Sequence, residues 1–145
     1  MANGDITLTV GLSGTTSTAG DSVASFSESK LTSSISIYYD RFLTIDNAAA
    51  RTALVVSATA AGNAIPALNG LIVFNMGAVA LTLGLLDDAV KSSYVSIPAG
   101  GFFIMNGATL DADDDSGAVV GTLTNIDTVT LQAASATCVC RVIAY

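Results

Sequence analysis

The amino-acid sequence predicts an all-β protein, an antiparallel β-sandwich of jelly-roll-like layout with about eight short strands. Apolar residues recur at every second position through much of the chain, and clusters of Gly, Pro, Asn and Asp interrupt them at strand-length intervals. At 145 residues the chain can build one ordinary core, because a domain of that size buries about 68–70% of the surface its unfolded form exposes.

Taken in order, Ile6, Leu8, Val10 and Leu12 alternate with Thr7, Thr9 and Gly11, the pattern of a strand with one covered face. Ser13 to Gly20 is too poor in hydrophobes to pack and is expected as a loop or flexible arm. Val23 to Leu31 is weakly patterned. Ile35, Ile37 and Tyr39, continued by Leu43 and Ile45, predict two strands or one bent strand. Asp46-Asn47 could cap a short helix over Ala48 to Arg51, since both side chains accept from free backbone N–H groups, before Val55-Val56 return the chain to strand. Gly70 to Asn75 is a continuous apolar run, which suits a strand covered on both faces. Asn75-Met76-Gly77 turns into an alternating strand from Val79 to Leu85, and Asp87-Asp88 ends it. Pro98 to Gly101 forces a sharp change of direction between Tyr94–Ile97 and Phe102–Met105. Val119-Val120, Leu123, Ile126 and Val129–Leu131 continue the pattern, and Cys138 to Tyr145 closes the chain on a strand. The expected organisation is a strand and flexible arm over residues 1–22, then a sandwich domain over residues 23–145.

Composition narrows the function. Hydrophobic residues make up 51% of the chain and charged residues 12%, about half the usual charged fraction of roughly 25%. Few charges remain for a free surface, so apolar surface is expected beneath neighbouring subunits. Lys30, Arg41, Arg51, Lys91 and Arg141 are scattered and outnumbered by 12 carboxylates, giving a net charge of −7. Phosphate backbones and anionic lipids need clustered positive charge, so neither nucleic acid nor membrane is an expected partner. Met1 to Asp5 lacks the basic and apolar regions of a secretory signal, and synthesis in a cytoplasm without export is expected. Thr52 to Leu86 carries no charge and is long enough to span a bilayer. Asn63, Pro66, Asn69, Gly70, Asn75, Gly77 and Gly84 punctuate it, however, and its second half alternates at period two, which a lipid-facing helix has no reason to keep.

Catalytic residues and cofactors are not expected. General acid–base and nucleophilic sites usually need a His or a nucleophile beside a base, and this chain has no His and only two Lys. The sharpest local motif is Asp111-Ala112-Asp113-Asp114-Asp115, in which Asp111, Asp113 and Asp115 occupy the first, third and fifth places of a calcium loop. Gly117 arrives one place late and Thr122 stands where the bidentate Glu belongs, so a solvated acidic loop is the favoured reading over a metal site. Cys138 and Cys140, two apart on a strand, point to one face without closing a disulfide and read as small buried hydrophobes. Tyr38, Tyr39 and Tyr145 form a thin case for a sugar-stacking platform and are expected in the core.

Several fragments, Leu68 to Asn75 with the Val79 to Leu85 strand, Ile97 to Phe103, and Ile126 to Ala133 with Thr137 to Tyr145, together resemble the small β-sandwich proteins of tailed-phage virions. That group includes capsid decoration (cement) proteins and head-fibre or tail-associated modules. The likeness is one of style and covers the last half of the chain. It implies a non-enzymatic virion structural protein, self-association as a homo-oligomer with a trimer favoured, and attachment to other virion proteins such as the major capsid protein. A capsid decoration protein that binds between capsomers is the leading expectation. A tail- or fibre-associated module binding a sugar or cell surface, with calcium in the Asp111 to Asp115 segment, is the alternative. The N-terminal segment is expected as the anchoring arm.

Overall fold

The fold is seen in a computed structural model that places residues 3–12, 26–57, 63–87, 91–106, 110–113, 119–123 and 126–145. Two compact units divide the chain, Met1–Ser36 and Ile37–Tyr145. In the first, β1 (Asn3–Leu12) pairs antiparallel with β2 (Phe26–Ser36) in a register running from Asn3↔Ser36 to Leu12↔Phe26, with a shift between Gly4 and Ile6. The weakly patterned stretch ahead of Leu31 is therefore strand where β1 lies beside it. The division expected between residues 22 and 23 falls within residues 13–25, outside the described residues.

The second unit contains β3 (Tyr39–Ile45), β4 (Arg51–Val56), β5 (Ala64–Ile65), β6 (Gly70–Asn75), β7 (Leu81–Asp87), β8 (Lys91–Ile97), β9 (Phe102–Asn106), β10 (Leu110–Asp113), β11 (Val119–Leu123), β12 (Thr128–Ala133) and β13 (Cys138–Ala144). One sheet has the order β3-β13-β6-β9, and the other β11-β10-β8-β7-β12-β4-β5. Without the β10-β11 hairpin and the short parallel β5, two antiparallel four-stranded sheets remain, β3-β13-β6-β9 and β4-β12-β7-β8. The chain alternates between them, staying in one sheet only for the β7–β8 step. This is the strand order of a jelly roll, an antiparallel sandwich of two Greek keys.

Period-two patterning explains how the sheets close on each other. Leu43 and Ile45 of β3, Leu71 and Val73 of β6, Cys138, Cys140, Val142 and Ala144 of β13 face inward. They meet Leu81, Leu83 and Leu85 of β7 and Val129, Leu131 and Ala133 of β12, all buried in one core. The β8–β9 turn carries the chain between sheets: the Gly101 N–H donates to the Pro98 carbonyl at 2.9 Å, and Gly100 has φ +71°. Positive φ at the third residue of a four-residue turn is the requirement of type II geometry and selects glycine.

Three local expectations are corrected. Asp46-Asn47 caps no helix. Asp46 Oδ1 accepts from the Ala48 N–H at 3.1 Å in a side-chain turn, and the segment is tied to the β12 end by Ala133 N–H to Asp46 O and Gln132 Nε2 to Asn47 O. Arg51 is already in β4 and donates to the Thr44 carbonyl, so too few residues remain for a helical turn. The run Gly70 to Asn75 is not covered on both faces, because Phe74 is exposed. Finally, β7 begins at Leu81 rather than Val79, whose carbonyl instead accepts from Asn75 Nδ2 at 2.8 Å.

Candidate interaction surface

On the β3-β13-β6-β9 sheet, the residues alternating with the core positions form an outer face that is mostly carbon. Its central row reads across the strands as Phe42, Arg141, Phe74 and Phe102, each opposite the next in register. A flanking row reads Asp40, Ile143, Ile72 and Ile104. On the other side lie Thr44 and Val139, with Met76 donating its N–H to the Val139 carbonyl. Phe42 is 63% exposed and Phe102 64%, and Phe74, Met76 and Val139 are also exposed. Ile72 is covered although it lies outside the core cluster, because Ile143 and Ile104 flank it on the same face.

The ring of Phe74 lies 6.2 Å from that of Phe102 at an interplanar angle of 45°, a tilted aromatic pair. The Arg141 guanidinium stands 5.5 Å over the Phe42 ring. It also donates twice to Asp40, Nε to Oδ1 at 2.9 Å and Nη2 to Oδ2 at 2.8 Å. This two-bonded fork holds the Asp40 carboxyl below its ordinary range and raises the Arg141 guanidinium. The two charges cancel within the face. Phe42, Phe74, Met76 and Arg141 line a shallow depression of about 220 Å³.

The outer face of the opposite sheet is chemically different. Thr52, Thr130, Gly84 and Tyr94 follow one another in register, beside a row of Gln132, Thr82 and Ser96. Tyr94 is 65% exposed. It lies across Gly84, where an added Cβ would collide with the Thr130 hydroxyl and press on the Tyr94 ring. The glycine is needed for this close approach.

The residues singled out in the sequence separate cleanly. Cys138 and Cys140 are free, buried and on one face of β13. Burial, and secondarily the neighbouring Cys138, push the Cys140 thiol up to about 11. Tyr39 and Tyr145 are buried and Tyr38 packs against the core, so they form no sugar platform. Burial raises the hydroxyls of both Tyr39 and Tyr145. Asp111 and Asp113 lie in strand β10, paired with Thr122 and Val119 of β11, rather than in a loop. Asp115 lies outside the described residues, as do the side chains of the other two.

Sequence reasoning missed the aromatic ladder. In the sequence, Leu43 and Ile45 alone mark Phe42's strand as half-buried, and Phe74 lies inside an apolar run that predicts burial on both faces. The signal was present as period two, which places Phe74 opposite in direction to Val73. Tyr94 likewise shows in the sequence only as a strand residue. No protein-family model, curated protein or solved structure matches the chain.

Proposed function

We propose that this protein is a non-enzymatic structural subunit of a repetitive assembly, most specifically a capsid decoration protein of a tailed-phage head. The observation carrying the reading is the apolar outer face of β3-β13-β6-β9, where Phe42, Phe74, Met76, Phe102 and Val139 are exposed together. Contiguous exposed apolar patches mark interaction sites. Aromatic residues, Met and Arg are the types enriched at interface centres. The jelly roll is compatible with the reading, since it serves in viral capsid domains, but it serves in lectins too and so does not decide. In this role the chain self-associates, with three copies the expected number, and binds between capsomers beside the major capsid protein.

The test is immunogold electron microscopy, with antibody raised against the purified chain, on particles released from the organism that encodes it. Label distributed over capsids is expected. Label confined to tails would move the protein to a tail or fibre role, and particles without label would overturn the virion reading.

The hydroxyl-rich outer face of the opposite sheet supports a second reading, a module binding sugar or a cell surface. Tyr94 offers an exposed ring amid Thr82, Thr130, Gln132 and Ser96, the mixture of stacking surface and hydrogen-bonding groups that a saccharide uses. Glycan-array binding lost in Tyr94→Ala would favour this reading. A saturable calorimetric heat with Ca²⁺, lost in Asp113→Ala, would add a metal to it.

A further inference from the structure

We propose that the β3-β13-β6-β9 outer face is the contact between copies of this chain, with Phe102 of one copy seated in the depression formed by Phe42, Phe74, Met76 and Arg141 of another. The proposal rests on the assembly reading above and supplies its surface.

Charge selects a second copy as occupant. The chain carries a net −7, so two copies repel at most approaches. On this face the charges of Asp40 and Arg141 are already joined by two hydrogen bonds. An acidic or basic partner finds no uncompensated charge here, and a saccharide finds mostly carbon. A second copy brings the same balanced pair. Arg141 of one copy can face Asp40 of the other without leaving either charge stranded, which matters because an unpaired charge is the costly outcome of desolvation.

Shape points the same way. The face holds both halves of an aromatic contact: a ring, Phe102, 64% exposed on edge strand β9 and paired with Phe74, and a depression of about 220 Å³ lined by Phe42 of β3, Arg141 of β13, Phe74 of β6 and Met76. The Phe102 ring is not part of the depression's lining, and the two lie on one face. Two copies can therefore exchange them reciprocally, and three can pass them around a ring. Both arrangements bury Phe42 and Phe74, which meet solvent in the single chain.

The experiment is sedimentation equilibrium of the full chain over a wide concentration range, beside Phe102→Ser, Phe42→Ser and a control, Tyr94→Ala, whose equally exposed ring lies on the opposite face. Wild type and Tyr94→Ala are expected at two or three chain masses, and both Phe variants at one. The Phe variants replace exposed side chains, and thermal unfolding within a few degrees of wild type will confirm that they remain folded. If either Phe variant unfolds, Phe102→Lys and Phe42→Lys take its place, because a charge at an exposed position blocks association without a core change. A wild type of one chain mass, or association surviving both Phe substitutions, overturns the proposal. The surface fails alone if capsid labelling holds while association ignores Phe102 and Phe42. The capsid reading fails alone if association depends on them and no particle is labelled.

Discussion

Asn75 shows what a single residue contributes to this sandwich. It is 2% exposed, the buried polar side chain among the described residues. Its Nδ2 shares two hydrogens among the carbonyls of Val79, Ile97 and Pro98 at 2.8–3.0 Å, while Oδ1 accepts from the Gly77 N–H and the Cys138 thiol, both at 3.0 Å. One amide thus joins the end of β6, the turn into β7, the end of β8 and the start of β13. Asn75→Leu leaves several of these groups buried without partners, so we expect it to cost about 3 kcal/mol in urea unfolding. The buried thiols give a second prediction. Cys138 and Cys140 should stay silent to a thiol reagent in the native protein at pH 8 and both react once it is unfolded. Because the Cys140 thiol keeps its proton up to about pH 11, against an ordinary 9.0, the native state binds more protons than the unfolded state between those values. Stability should therefore be full below pH 9 and fall as pH rises toward 11, and Cys140→Ala should flatten that slope.

At the scale of elements, the turn joining β8 to β9 determines whether the chain can pass from one sheet to the other. Gly100 holds φ +71° in it, a conformation that costs a side-chain-bearing residue about 1–2 kcal/mol. Gly100→Ala should destabilise by that amount in denaturant unfolding, although open space surrounds the position. The Asp40–Arg141 pair joins edge strand β3 to its neighbour β13 but is substantially exposed. Asp40→Asn should change single-chain stability by less than about 1 kcal/mol, an effect small enough to separate from any effect on association. Most elements were legible in the sequence, because alternation names a strand and Pro98 to Gly101 names its turn. The Asp46 to Ala50 segment was not. Its residues suit a cap, and only the long-range ties to Ala133 and Gln132 hold it as a non-helical link.

For the whole molecule, the division at Ser36 and Ile37 carries a prediction about autonomy. The unit Ile37–Tyr145 holds a buried core that runs from Tyr39 to Ala144, whereas an isolated two-stranded hairpin is marginal in water. A fragment of residues 37–145 should fold cooperatively by itself, checked by heat-capacity calorimetry, and residues 1–36 alone should show no cooperative transition. The two outer faces of the sandwich differ in chemistry: one carries the phenylalanine ladder, the other Thr, Ser, Gln and Tyr94. Under the proposed assembly role, the phenylalanine face is the one expected to be covered.

What the sequence determined by itself was the class and the inventory. Alternation at Leu81, Leu83 and Leu85, or at Val129 and Leu131, dictates strands with one buried face, and the absence of His together with the scarcity of cations limits the chemistry available. Tertiary structure alone decided the pairing. A strand's period says which residues share a face but not which strand lies beside it, since backbone hydrogen bonds carry no sequence label. Phe42, Phe74 and Phe102 are separated by dozens of residues, and the order β3-β13-β6-β9 makes them one surface.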